Sequence, residues 1–434
     1  MRFALFLLVN AMLFLRPAEI HPALYDLPIY EACILSCLAV SYTAVVAQFS
    51  PKSLYERPVN ACVVGMLPAI VLSRLVAGDP AESYEFGNDF AKLLLYYGLL
   101  VGVVDTPKRL QTFLTGVAAF ALAITSIAVL HYHGVIEVPS LRFVETGLDD
   151  TGSAASTVRR LGSTGLFQDP NDMCLMLVTA MTVCLYLVIE RRQWYWLGAL
   201  AVLSHALMLT HSRGGFIAML GALCVLLAAR LGRKAIPIGL VVLPVVFALF
   251  AGRQTSISSA LEGGGTGQTR IQLWADGLAL FVHRPLFGIG CGNYAGAAGH
   301  VAHNSFIHCY VELGLIGGTL FLGAFYLALW PLARLGGRGV PPELLGDDLR
   351  RLRPYVLAIV AGYGVGLLSL SCPYTIPTYT VLGLSAVYVR LAEQAIGVPV
   401  ARLNSKLLIR IGWLSLAFIT TAQVGVLLVL RTSR

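Results

Sequence analysis

The segment from Met173 to Ile189 reads MCLMLVTAMTVCLYLVI and contains no charged residue. A helix needs about 20 predominantly apolar residues to cross the hydrocarbon core of a bilayer, so this composition is typical of a membrane span. Thirteen apolar segments of this kind can be distinguished along the chain, from Arg2–Leu15 to Leu407–Leu430. We expect about twelve of them to cross the membrane, with the N-terminal one the weakest candidate.

The composition of the whole chain points the same way. Apolar residues make up 57% of the 434 residues and charged residues only 12%. Soluble domains carry about a quarter of charged residues, so this composition excludes an ordinary soluble protein. No loop is long enough to bury a hydrophobic core of its own. The sequence therefore predicts an all-α polytopic membrane protein that forms a single membrane domain over residues 1–434.

The distribution of basic residues predicts which helix ends face the cytoplasm. The net charge is +8, but Lys and Arg recur in alternate loops rather than in one patch, which argues against a nucleic-acid-binding protein. Loops rich in Lys and Arg stay on the cytoplasmic side. The opposite side then receives an acidic loop, two long loops and a tight turn, which are Gly78–Asp89, Tyr132–Asp172, Gly252–Ser305 and His211–Gly215.

The longest outer loop, Gly252–Ser305, is predicted to be ordered and functional. Apolar residues recur in it at the spacing of an amphipathic helix: Ile271, Trp274, Leu278, Phe281 and Val282. The glycine-rich segment Glu262–Gln268 precedes this helix and is expected to act as a hinge. After the helix, Pro285 and nearby glycines interrupt regular structure, so we expect the chain to turn sharply back toward the membrane as a lid.

Arginines accumulate on the predicted outer side without matching carboxylates. They are Arg142, Arg159, Arg160, Arg213 and Arg270. A guanidinium group binds phosphate oxygens two at a time, which favours an anionic ligand. Arg213 lies where two apolar segments meet, at the level at which a lipid-linked diphosphate carries its phosphates. The alternative is that Arg213 only caps a helix end and extends its guanidinium toward water.

His303 is the predicted general base, because it lies just before the apolar run that begins at Phe306 and imidazole is the usual base near neutral pH. A purely structural role at a helix N-terminus is the alternative, and His300 and His308 are competitors. Two histidines at positions 300 and 303 suit a metal ion, but a third ligand is not evident nearby. The outer acidic residues are interpreted as turn and helix-cap residues: Asp149, Asp150, Asp169 and Asp172.

Glu312 is a carboxylate within the apolar segment that follows His303, where it needs a partner. Two interpretations are open: an ion pair with an outer arginine, or an interior structural role. The nine cysteines show no zinc-type spacing and lie mostly in apolar segments, so we expect them to pack as small apolar side chains. Cys291 and Cys309 border the outer loop and form the one pair that an oxidising compartment could join.

Four short motifs, taken together, resemble the O-antigen ligase and polymerase superfamily. They are His211-Ser-Arg-Gly-Gly215, Arg270 before Trp274, Pro285-Leu-Phe-Gly-Ile-Gly290, and His303-Asn-Ser-Phe followed by Glu312-Leu-Gly-Leu-Ile-Gly. Each motif alone is weakly specific, and the resemblance depends on their order, spacing and common side over about residues 130–320. The N-terminal third resembles the family only in hydropathy.

This resemblance implies a membrane enzyme of the C-type glycosyltransferase kind, in the bacterial inner membrane with its active site on the periplasmic side. It implies transfer of a glycan from undecaprenyl diphosphate to lipid A core by an inverting displacement that requires neither metal nor cofactor. Arg213 and Arg270 would hold the diphosphate, and His303 would activate the acceptor hydroxyl. The remaining implied substrate-binding residues are Arg142, Arg159, Arg160, His211, Trp274 and Glu312.

The same motifs fit other members of the superfamily, which are the O-antigen polymerase and protein O-oligosaccharyltransferases. A protein oligosaccharyltransferase of this family often carries an additional C-terminal outer domain, whereas this chain ends in an apolar segment, so the ligase is the preferred expectation. A transporter or flippase of lipid-linked glycan is an alternative of another class, because it would bind the same head group without reaction.

Overall fold

The computed structural model describes residues 1–20, 24, 27–138, 140–141, 144–146, 158–163, 167–251, 266–335 and 342–432. In chain order the helices are α1 (Arg2–Leu15), α2 (Pro17–Ile20), α3 (Ile29–Gln48), α4 (Pro51–Glu56), α5 (Pro58–Ala77), α6 (Pro80–Val103), α7 (Pro107–Tyr132), α8 (Pro170–Ile189), α9 (Trp196–Leu209), α10 (Arg213–Leu231), α11 (Ala235–Ala251), α12 (Thr266–His283), α13 (Tyr294–Ala298), α14 (Ser305–Arg334), α15 (Gly346–Gly366), α16 (Ile376–Ile396) and α17 (Ser405–Thr432). Two short strands, β1 (Val144–Thr146) and β2 (Val158–Arg160), pair antiparallel.

Among the described residues, seven helical stretches are long and apolar enough to cross a membrane. They are Ile29–Gln48, Pro58–Ala77, Pro107–Tyr132, Pro170–Ile189, Arg213–Val246, Ser305–Arg334 and Ser405–Arg431. Two shorter apolar helices, α1 and α9, accompany them. The predicted class, an all-α polytopic membrane protein, is confirmed, while the expected number of about twelve crossings stays a prediction.

The acidic segment Gly78–Asp89 was expected to be a loop, and this prediction is wrong, because α6 begins at Pro80 and includes most of it. Proline is well placed at the start of a helix, where no backbone N–H is needed, and acidic side chains are stabilised there by the helix dipole. The amide of Ser83 donates to the carbonyl of Asp79 at 2.9 Å, which closes the first turn. The connection that follows α5 is therefore only a short turn.

The contacts of the chain group into two compact units. Unit 1 comprises Met1–Tyr42, Val103–Arg253 and Asp347–Gly366, and unit 2 comprises Thr43–Gly102, Gln254–Gly346 and Leu367–Arg434. Each unit takes helices from both halves of the sequence, and the expectation of one membrane domain over residues 1–434 stays a prediction.

The core of unit 1 is α8, which is buried along most of its length and contacts α7, α9 and α10. A helix that is apolar on every side is stable only when other helices surround it. Asp169 begins α8, as expected, because its carboxylate accepts a hydrogen bond from the amide of Asn171 at 2.7 Å. The strands β1 and β2 lie in the loop that precedes α8.

The core of unit 2 is α14, which packs against α5, α12, α16 and α17. Asn304 begins this helix, and its side chain accepts hydrogen bonds from the amides of Phe306 and Ile307 at 3.1 Å. An apolar cluster joins the N-terminal end of α14 to α12 and to the segment that connects them. Its buried members include Phe281, Ile289, Tyr294, Ala302, Ile307 and Tyr310.

Candidate active site

The glycine-rich segment from Pro285 to Tyr294 lies against an interruption in α14. Gly314 has a φ of 67°, so the helix is broken there and its backbone groups become available to other partners. The amide of Ile289 donates to the carbonyl of Val311 at 3.0 Å, and the amide of Leu315 donates to the carbonyl of Pro285 at 2.7 Å. The predicted sharp return of the chain after α12 is therefore made by backbone pairing with this helix.

Two glycines make that close approach possible. A Cβ atom added at Gly288 would lie 2.4 Å from the carbonyl carbon of Glu312, and one added at Gly314 would lie 2.3 Å from that of Leu286. Both glycines also have positive φ angles, of 72° and 67°, which other residues adopt only at a cost. Glycine is thus required at both positions by space and by backbone conformation.

The carboxylate of Glu312 ties this segment to α14 from within. Its side chain is 1% exposed, and Oε1 accepts from the amide of Tyr294 at 3.0 Å and lies 3.1 Å from Nε2 of His308. The hydroxyl of Tyr374 donates to Oε2 at 3.1 Å. Of the two interpretations left open by the sequence, the structure supports the interior one, because the described side-chain partners are His308 and Tyr374 rather than an arginine. His308 and Glu312 are four residues apart on one helix, a spacing from which this pair could have been recognised.

The amphipathic helix predicted in the large outer loop is present as α12, and two hydrogen bonds attach it to the site. The indole Nε1 of Trp274 donates to the carbonyl of Ala302 at 2.6 Å, directly before His303. The hydroxyl of Tyr294 donates to the carbonyl of Leu273 at 2.7 Å. Burial raises the pKa of Tyr294, which keeps this hydroxyl protonated as a donor.

Arg270 lies one turn before Trp274 on α12 and is half-buried. Residues four apart share a helix face, so Arg270 lies on the face of α12 that Trp274 directs toward the segment of His303. His303 itself is half-buried and has a φ of 49°, in the left-handed region. Its ring stacks on that of His300 with the centroids 5.0 Å apart. The imidazole thus projects from the turn before α14 rather than from inside the helix.

Arg74, at the end of α5, contacts the same glycine-rich segment and was missed by the sequence analysis. Its Nη1 donates to Oδ1 of Asn293 at 2.9 Å, and its Nη2 forms an ion pair with Glu82 at 2.9 Å. The guanidinium also lies 4.6 Å from the ring centroid of Phe86. A signal was present, since an arginine within the last turn of an apolar helix, followed closely by acidic residues, indicates a buried ion pair.

In unit 1, the junction at His211 to Arg213 is the turn expected from the sequence. Ser212 begins α10, and its hydroxyl accepts from the amide of Gly215 at 3.2 Å and donates to Oδ1 of Asn171 at 2.8 Å. His211 has a positive φ of 49° in this turn, and both His211 and Arg213 are half-buried. Arg213 therefore occupies the first position of a helix, where the backbone dipole favours anions.

Arg160 is attached to this junction. Its Nε donates to the carbonyl of Thr210 at 2.9 Å and its Nη2 to Oδ1 of Asn171 at 3.1 Å. Burial lowers the pKa of this guanidinium while Asp169 acts to raise it, and an arginine remains charged under both influences. Arg159, its neighbour on β2, is exposed and lies over the ring of Tyr132 at 5.7 Å from the centroid.

The structure thus groups the predicted site residues within each unit. Arg160 joins the junction of His211 and Arg213 in unit 1, and in unit 2 the Trp274 indole is bonded next to His303. Arg142 lies outside the described residues, as do Asp149, Asp150 and the larger part of the expected hinge at Glu262–Gln268.

The sequence left open a metal site at His300 and His303 and a disulfide between Cys291 and Cys309. Over the described ranges, no group of three or more His, Cys, Asp or Glu side chains is placed to hold a metal ion. All nine cysteines, including Cys291 and Cys309, are free thiols in the structure.

Comparison with known proteins finds one family to which the central part of the chain is similar. Residues 198–322 match the family model described as O-antigen ligase, which confirms the resemblance to that superfamily. The matched range includes every predicted site residue except Arg142, Arg159 and Arg160. No curated protein matches the chain.

Proposed function

We propose, from the match of residues 198–322 to the family model described as O-antigen ligase, that the protein is a glycosyltransferase of the ligase type. It moves an O-antigen glycan from undecaprenyl diphosphate to lipid A core on the periplasmic face of the bacterial inner membrane. The observation that carries this proposal is the extent of the match, which contains the junction of His211 and Arg213 together with the segment from Arg270 to Glu312.

The proposed reaction is an inverting single displacement. The oxygen of an acceptor hydroxyl forms a bond to the anomeric carbon of the glycan while the bond from that carbon to the diphosphate oxygen breaks. The hydroxyl proton passes to the imidazole of His303, and the lipid diphosphate leaves with the bonding electrons. Because one bond forms on the face opposite to the one that breaks, the anomeric configuration inverts.

Arginine side chains supply the electrostatic part of the proposal. The leaving lipid diphosphate gains negative charge as the glycosidic bond breaks, and fixed donors aimed at that charge lower the barrier. Arg213 and Arg270 are proposed to bind the phosphate oxygens, with the helix N-terminus at Arg213 adding its dipole. Arg160 already donates to Thr210 and Asn171, so we assign it to positioning the junction. Two guanidinium groups can neutralise the leaving group, so the proposal requires no metal ion or other cofactor.

His303 is proposed as the base because its ring is half-buried and projects from a turn that is held on both sides. The Trp274 hydrogen bond fixes Ala302 before it, and the Asn304 cap fixes the start of α14 after it. His308, a competitor in the sequence, is occupied by Glu312 and stacks on Tyr294. A base that is already held in position loses little conformational entropy when it abstracts a proton, which lowers the barrier.

The test is transfer by purified protein in vesicles that contain undecaprenyl-diphosphate glycan and lipid A core. His303→Ala is expected to lower turnover by roughly 100-fold to 10,000-fold, the usual contribution of a general base, without loss of donor binding. His300→Ala is the matched control, since it removes the stacked neighbour but leaves the proposed base. Unchanged transfer by His303→Ala would remove that residue from its assigned role, and a loss of turnover on adding a chelator would contradict the metal-independent scheme.

Arg270→Ala and Arg213→Ala are expected instead to weaken donor binding. Each loses a charge-assisted contact to phosphate, which is worth about 1.5 to 3 kcal/mol. Donor affinity is measured by titrating the purified protein with labelled lipid diphosphate. Full donor affinity in both variants would contradict the diphosphate clamp.

Other members of the superfamily remain alternatives, and the acceptor separates them. The polymerase alternative predicts that donor alone, without lipid A core, yields a ladder of longer carrier-linked glycans. A protein O-oligosaccharyltransferase would glycosylate a peptide acceptor instead. A flippase would move the donor across a vesicle membrane without releasing undecaprenyl diphosphate, so the release of that product distinguishes enzyme from transporter.

A further inference from the structure

A basic cleft lies at the end of unit 2 that is opposite to the glycine-rich segment. The 20 residues of α5 separate the two, with Arg57 directly before the helix and Arg74 in its last turn, a distance of about 30 Å at the usual rise. The cleft has a volume of about 270 Å³ and its walls carry three arginines, which are Arg57, Arg390 and Arg402.

Two of these arginines are held at the edge of the apolar core rather than in open solvent. Arg390 is 7% exposed and its Nη1 donates to the carbonyl of Val101 near the end of α6. Arg57 is half-buried and its Nη1 donates to Oε1 of Gln48. Burial lowers the pKa of Arg57, which reflects the cost of keeping a guanidinium there. Arg402 is exposed at the mouth of the cleft.

The carboxylates of the cleft do not balance these cations. Glu56 and Glu393 also line it, which leaves one positive charge in excess. Glu393 is largely occupied, because its Oε1 accepts from the amide of Val400 at 2.7 Å and from that of Ala401 at 3.4 Å. Glu393 attracts both Arg57 and Arg402, so one carboxylate serves two guanidinium groups and the cleft keeps a net positive charge.

Beside the mouth lies a narrow and mainly apolar recess of only about 20 Å³. Glu56, Arg57, Arg390 and Glu393 line both spaces, and the floor is made by Val59, Leu327, Pro331, Ala386 and Val389. A basic cleft whose side recess admits only about one water molecule suits a compact anion such as a phosphoryl group, whose oxygen atoms accept from guanidinium groups.

We propose that this cleft binds a phosphoryl anion, supplied by the head group of an anionic phospholipid or by free phosphate. Basic pockets at helix ends on the cytoplasmic side of membrane proteins bind such head groups, and the excess of basic residues places this end of α5 and α16 on that side. The site is separate from the proposed transfer site and does not depend on it. Bound phospholipid would join the ends of α5, α14 and α16 through their side chains.

The test is native mass spectrometry of the purified full-length protein titrated with phosphatidylglycerol, and in parallel with phosphatidylcholine. Phosphatidylglycerol is expected to bind more tightly. Arg402→Gln and Arg57→Gln are each expected to weaken it by about tenfold, the loss of one charge-assisted hydrogen bond. Lys406→Gln is the matched control, because Lys406 is an exposed cation four residues after Arg402 in the sequence and is not among the residues that line the cleft.

Arg402 is exposed, so its substitution keeps the test valid if Arg57→Gln folds poorly. Equal affinity for the two lipids, unchanged affinity in Arg402→Gln, or an equal loss in Lys406→Gln overturns the proposal. Inorganic phosphate added to the lipid-bound protein distinguishes the sources. Displacement of phosphatidylglycerol supports a soluble phosphoryl ligand, and its retention supports the lipid head group.

Discussion

At the scale of single residues, Glu312 is the group on which the proposed site depends most. Glu312→Ala would leave the amide of Tyr294 and the hydroxyl of Tyr374 buried without their acceptor. We expect the free energy of unfolding to fall by about 3 kcal/mol, the usual result of removing one partner from a buried charged network. We also expect glycan transfer to be lost. Glu312→Gln keeps the shape and an acceptor oxygen, so its loss should be smaller. Unfolding in mixed detergent measures both, with exposed Glu85→Ala as control.

Arg74 leads to a second prediction at this scale. Its hydrogen bond to Asn293 should give a coupling energy of about 1 to 2 kcal/mol in a double-mutant cycle of Arg74→Gln and Asn293→Ala. The free energies of unfolding for this cycle are measured in the same unfolding assay. The cycle of Arg74→Gln with exposed Lys406→Gln should be additive. Additive losses for Arg74 and Asn293 would mean that the guanidinium does not hold the glycine-rich segment.

These two residues also mark how far the sequence predicts the site. Glu312 was recognised because a carboxylate in an apolar segment needs a partner, but the sequence left open whether it pairs with an outer arginine or has an interior role, and it did not indicate His308. Arg74 was read as part of an apolar span, because its partner Asn293 is more than two hundred positions away along the chain. Residue chemistry is local in the sequence, whereas the choice of partner depends on tertiary packing.

At the scale of elements, the glycine-rich segment leads to a third prediction. Gly288→Ala should destabilise the protein by more than about 2 kcal/mol, because the new methyl group meets backbone atoms and the residue has a positive φ. Gly296→Ala is the matched control, since it lies in the short helix α13 and a Cβ there meets no atom within 4 Å. Thermal unfolding and glycan transfer are measured for both variants. Similar stability for the two would contradict the tight backbone contact.

Elements with a strong periodic signal were predicted and weaker ones were not. The amphipathic helix α12 follows from apolar residues at helical spacing, and the proline and glycines after it indicate the return of the chain. The start of α6 was predicted wrongly, because the boundary was taken from hydropathy alone and the acidic residues were assigned to a loop. A helix can begin with acidic residues, because proline fits its first position and the helix dipole stabilises negative charge there. The strands β1 and β2 have three residues each, too few to produce an alternating pattern.

At the scale of the whole molecule, the proposed function requires the large outer loop to face the periplasm. Alkaline phosphatase is active only there, so phosphatase inserted after Gly263 should be active and phosphatase inserted after Arg233 should be inactive. The reason is that Arg233 and Lys234 form a basic turn, and basic turns stay in the cytoplasm. A fluorescent protein that folds only in the cytoplasm should give the reverse pattern at the same two positions. Phosphatase activity at both positions would mean that α11 does not cross the membrane, and inactivity at Gly263 would place His303 on the side that holds no lipid A core.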